Sequence, residues 1–147
     1  MDLFFVVDSL KSFGDACVDL EHAVAAHGFG VLAVHDLAET LRSKGLSFPE
    51  SCRVFEVCNP RQASEVLAVD MALNMVLPCR VSIYEDQGRT IIGMVPPSDL
   101  LPLVSANPAI AASAHDPNQV LNGHRTRHPP GRPAKVEPGV RRQRLVF

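Results

Sequence analysis

Residues 79–95 read CRVSIYEDQGRTIIGMV, in which two β-prone apolar runs, CRVSIY and TIIGMV, flank EDQGR. Gly88 supplies the positive φ that a tight reversal needs, so the stretch predicts a β-hairpin. A hairpin joins antiparallel strands, and the chain therefore cannot form an all-parallel, doubly wound sheet.

Upstream, strand and helix signals alternate. DLFFVVDS reads as a short first strand, and Ser12 followed three residues later by Asp15 has the spacing of a capping box with Asp in place of the usual Glu. A helix is expected from there to Gly28, with Phe13, Cys17, Leu20 and Val24 on its apolar face and Asp15, Asp19 and His22 opposite. FGVLAV then predicts a strand, followed by a short helix with Asp36 as N-cap and Gly45 at its end. CRVFEV predicts a third strand, placing Val54 and Glu56 against Phe55 and Val57 on its two faces. Asn59-Pro60 opens the next helix, because Asn is a preferred N-cap and proline at N1 gives up an N–H that has no helical partner anyway. A loop is expected after RQASEVLAVD. PPSDLLPLVS predicts a last short helix with Ser98 as N-cap. The pattern is that of a single α+β domain over residues 1–114: a mostly antiparallel sheet with helices packed on it.

The 147 residues suffice for one domain and a tail, and 46% apolar residues with no Trp leave the core to Val, Leu, Ala, Ile and a few Phe. The formal charge of −2 hides an asymmetry: residues 1–114 hold 7 Lys/Arg against 14 Asp/Glu, residues 115–147 hold 7 against 2. The second segment is rich in Pro and Arg, with HPPGRP and RRQR as landmarks, and reads as an extended, flexible basic tail. It is the one place where phosphates of a nucleic acid could be held, but it offers only Phe147 for stacking and the body is acidic, so no nucleic-acid partner is expected of the domain. The apolar run Leu3 to Val7 is too short for a membrane span or a signal peptide, and the four cysteines form no CxxC pair. The expectation is a cytoplasmic protein with free thiols and no membrane partner.

The residues that could carry chemistry are few. Cys58 precedes a helix N-cap, where unpaired N–H groups and the helix dipole favour a thiolate; equally, a free cysteine at the end of a core strand is a small buried hydrophobe. Cys79 opens the next strand, with Arg80 beside it to help hold a thiolate. If those two strands run parallel, the cysteines lie roughly 15–20 Å apart; if antiparallel, they can come within the ~7 Å Cα separation that a disulfide requires. Cys17 belongs to a core helix face, and Cys52 starts a strand. Cys58, Cys79 and His35 form a candidate ligand set for Zn, Cu or haem iron, the only cofactors worth entertaining, although a strand-end imidazole bonded to backbone explains His35 as well. Glu56 and Glu85 would make an acid/base pair if they shared a cleft. No phosphate loop, nucleophile elbow or zincin signature is present, so no catalytic residue is predicted.

The segments GFGVLAVHDLAETLRSKG, FEVCNPRQASEVLAVD and LPCRVSIYEDQGRTIIGMVPPSDLL, in this order and spacing, resemble the bacterial and archaeal domain-of-unknown-function family numbered 302, over roughly residues 1–105. The resemblance implies a curved, mostly antiparallel sheet with helices, similar to the TATA-binding-protein class of folds, and frequent homodimers. It implies no established catalytic residues, and its two cysteine positions match Cys58 and Cys79. Two functions follow as expectations: a dimeric, non-enzymatic module that holds a small ligand or a partner against the concave side of its sheet, or a thiol-redox or metal/haem protein using Cys58 and Cys79 with His35 as an extra ligand; Cys58, Cys79, His35, Glu56 and Arg80 are the candidate residues for either.

Overall fold

The computed structural model describes residues 3–113 and 141–144. Six strands form one sheet in the order β2-β3-β4-β5-β1-β6. These are β1 (Phe5–Ser9), β2 (Gly30–Asp36), β3 (Cys52–Cys58), β4 (Cys79–Asp86), β5 (Arg89–Met94) and β6 (Arg141–Arg144). All pairings are antiparallel except β1 with β6. The architecture is the expected α+β one, a five-stranded antiparallel sheet with helices packed on it, to which the backbone of β6 adds a parallel edge. The remainder of the 115–147 tail lies outside the described residues.

The helices are α1 (Phe13–Ala26), α2 (Leu37–Ser43), α3 (Pro60–Val69), α4 (Pro97–Val104) and α5 (Pro108–Ser113). Their starts follow local chemistry. The Asp15 amide donates to Ser12 Oγ, and the Glu39 amide to Asp36 Oδ1. Asn59 Oδ1 accepts from the amides of Arg61 and Gln62 with Pro60 at N1. Gly28 and Gly45, just past the ends of α1 and α2, have φ of 77° and 78°, which a side chain would strain.

Helix α4 departs from the expectation. It starts two residues earlier than a Ser98 cap allows: Pro97 is the first helical residue, and the Pro96 carbonyl accepts from the amides of Asp99 and Leu100. Proline's fixed φ suits N1 better than a second turn residue would, and this overrides the serine. The expected loop after α3 also proves ordered, as a 3₁₀ segment over Met71–Val76 started by Asp70, whose carboxylate accepts from the Ala72 amide. Helix α5 has no counterpart in the sequence reading.

The main core lies between α1 and one face of the sheet. Ala16, Cys17, Leu20, Ala23 and Val24 meet Phe5, Val7, Phe55, Val57, Val81, Ile83, Ile92 and Met94, with Phe13 partly buried at the margin. A fully buried Leu or Ile there contributes roughly 1.5–3 kcal/mol by leaving water. A second cluster, Val66, Leu73, Leu101 and Ile110, ties α3, the 3₁₀ segment, α4 and α5 together. That small layer builds a wall beside the start of β4.

Candidate functional site

Strand direction answers the question about the two thiols. β3 and β4 are antiparallel neighbours with Val57 opposite Cys79, so Cys58, the next residue, lies diagonally across from Cys79. Both are free thiols. Side chains alternate along a strand, so Cys79 shares the face of its partner Val57 and packs against the α1 core, whereas Cys58 is out of phase with it. Burial pushes the Cys79 thiol up to about 11, and the adjacent Cys58 sulfur adds to the shift. At neutral pH Cys79 is a protonated, partly buried thiol. Arg80 does not hold it as a thiolate, because Arg80 follows it by one residue and projects with Glu56 from the other face.

Nor do His35 and the cysteines converge. His35 pairs with Val54, four residues along β3 from Cys58, which is about 13 Å at strand spacing. Among the described residues no three His, Cys, Asp or Glu side chains are grouped as a metal would require. His35 instead meets Glu56, with Nε2 at 3.2 Å from Oε1. The antiparallel register explains it: Glu56 is opposite Ala33, two residues from His35 on the same face of β2.

The two glutamates also part company. Glu85 accepts from the Ser51 side chain and from the Ser51 amide, and these bonds hold its carboxyl below the usual range. It lies near the hairpin end of β4, whereas Glu56 is opposite Arg80 at the other end. They share no cleft, so the acid/base pair is not formed. The other two cysteines are embedded in structure. Burial raises the Cys17 thiol, which lies against Arg53 beneath α1; burial likewise raises Cys52, which bonds Ser82 across the ladder.

What the fold does bring together is a cleft of about 370 Å³ at the start of β4. Glu56, Cys79 and Arg80 come from the sheet, Met75 to Pro78 from the 3₁₀ segment and its exit, and Val95, Pro97, Leu100 and Leu101 from the β5–α4 connection and α4. Its walls are aliphatic apart from the Glu56 carboxylate, the Arg80 guanidinium and the sulfurs of Met75 and Cys79. Among the described residues, no carboxylate lies within ion-pair distance of Arg80, and Glu56 meets His35 instead. At the mouth Met75 is 79% exposed. Four of the five sequence candidates, His35, Glu56, Cys58 and Arg80, thus fall on one face of adjacent strands, and Glu56, Cys79 and Arg80 line the cleft. The apolar wall from Met75 to Pro78 was missed, because these residues fall in a segment read as a loop. The signal was there: a connection that is mostly aliphatic is not an ordinary solvent-facing loop.

Among the described residues no helix is long and apolar enough to cross a membrane. No curated protein matches the chain significantly. The fold is similar to the crystal structure of an uncharacterized conserved DUF302 protein from Bacillus stearothermophilus, with 32% sequence identity, a TM-score of 0.73, and coverage of 78% of this chain and 88% of that one. Residues 5–123 match the family described as domain of unknown function DUF302, a stretch that takes in the whole five-stranded sheet, α1 to α5 and every wall of the cleft, so the chain belongs to the DUF302 family.

Proposed function

We propose that this protein is a dimeric, non-enzymatic binding module that takes a small ligand in the cleft between the start of β4, the 3₁₀ segment and α4. The observation that carries the reading is the cleft itself: a mainly aliphatic concavity of about 370 Å³ with two charged side chains on its wall. Ligand sites are typically apolar concavities of roughly 300–1,000 Å³ with a few polar groups that fix orientation. The protonated, partly buried Cys79 supports binding over thiol chemistry, because the thiolate is the nucleophile and the raised pKa disfavours it. Dimerisation is supported by the outer edge of β2, which ends the sheet, contains no Lys or Arg, and exposes Leu32 and Val34. Four free thiols fit a reducing, cytoplasmic setting.

A thermal-shift screen of small metabolites against the full chain tests the reading, since a ligand specific for the folded state raises its melting temperature. Hits should lose their effect when Leu100→Glu places a carboxylate among the aliphatic walls. Hits that stabilise this variant as well as the parent would put the ligand elsewhere, and reaction of a hit to a new product would remove the non-enzymatic half of the proposal.

A further inference from the structure

The cleft's charges are not equivalent, and the difference points to a class of ligand. Glu56 has its carboxylate at 3.2 Å from His35 Nε2. Arg80, directly opposite it on β4, has no carboxylate within ion-pair distance among the described residues. A guanidinium carries five N–H donors in a planar fork that matches a carboxylate in two parallel hydrogen bonds. The remaining walls are aliphatic: Val76, Leu77, Val95, Leu100 and Leu101, with the flexible thioether of Met75 at the mouth. Methionine side chains adapt to apolar ligands of irregular shape.

From this we infer that the site binds small amphipathic monocarboxylates, the carboxylate held by Arg80 and the hydrocarbon part lying along the 3₁₀ segment and α4. Charge complementarity selects the head group, and apolar burial provides the affinity. Glu56 opposes the same anion, and its engagement with His35 keeps it from pairing with Arg80. The inference rests on the cleft being the ligand site proposed above.

Octanoate, octanol and octylamine, which share one tail and differ in head-group charge, separate the two ideas when titrated into the ¹⁵N-labelled full chain. Octanoate is expected to bind at least tenfold more tightly than the other two, with amide shifts centred on Val76, Leu77, Arg80 and Leu100. Arg80→Gln should remove about tenfold of that advantage, in line with the strength of a charge-assisted hydrogen bond, and leave octanol binding unchanged. Glu56→Gln should strengthen octanoate severalfold. Equal binding of octanoate and octanol at the cleft, indifferent to Arg80→Gln, would overturn the carboxylate inference while leaving the cleft as a ligand site. Octylamine binding tightest would overturn it too, by making Glu56 the anchor. If none of the three moved cleft resonances, the cleft reading would fall with it.

Discussion

Cys79 and Arg80 are consecutive, yet the pleat sends one into the α1 core and the other to the cleft beside Glu56. That single alternation decides the chemistry of both. The thiol, desolvated against aliphatic neighbours, holds its proton to a pKa of about 11, so it should resist alkylation. With iodoacetamide at pH 7.5, Cys79 is expected to react at least tenfold more slowly in the folded protein than in urea, as read by peptide mass spectrometry. Equal rates would mean an accessible thiolate. Because the folded-state pKa lies above the ordinary value of 9.0, the folded protein holds the proton that the unfolded chain releases. The associated stability is therefore complete below pH 9 and is lost as the pH rises towards 11, by up to roughly 2 kcal/mol. Cys79→Ala should flatten that part of the stability curve.

At the scale of elements, caps and turns were legible because their chemistry is local. Ser12, Asp36 and Asn59 each satisfy amides two or three residues ahead, and no distant contact is needed to recognise them. The hairpin was equally plain, but its turn is tighter than expected. β4 and β5 continue to the Asp86–Arg89 pair, and Gln87 at φ 50° shares the left-handed conformation with Gly88. Two successive positive φ values make a type I′-like reversal, in which Asn-Gly is strongly preferred and Gln is strained. Gln87→Asn should accordingly raise stability by about 0.5–1 kcal/mol in urea unfolding. An unchanged or lower midpoint would show that the turn carries no strain at Gln87. The 3₁₀ segment and α5 were illegible for the opposite reason: Leu73 and Ile110 are buried only because α3 and α4 lie over them, and six-residue elements have too few turns to show a period.

For the whole molecule, the sheet ends among the described residues at β2, with an edge guarded only by a bulge. A bulge interrupts its pairing with β3 between Val31 and Ala33, after which the strand runs regularly to Asp36. Natural edges are blunted by lysine, proline or bulges, and this one has only the bulge. If two copies meet there about a twofold axis, Leu32 and Val34 bury against their symmetry mates. Light scattering should then give twice the 16.0 kDa chain mass for the parent and the chain mass for a Leu32→Lys, Val34→Lys variant. A parent that is monomeric at about 100 μM, or a variant that stays dimeric, would rule out this edge as the interface. The variant should keep its octanoate site, which lies at the start of β4 and not on the β2 edge.

The sequence by itself determined the fold class, the starts of α1, α2 and α3, the hairpin and which faces of α1 and β3 are buried, because caps act over two or three residues and periodicity is written along one element. It did not determine that β3 and β4, joined through a helix, would lie side by side and antiparallel; the turn-by-turn signals in α3 and the 3₁₀ segment carry no direction for the strand that follows. Only the tertiary structure made that choice. It set Arg80 opposite Glu56, turned Cys79 inward, separated His35 from both cysteines, and closed an aliphatic wall over the start of β4. A binding cleft is a relation between distant segments, and its energy comes from surfaces that meet only after the chain has folded.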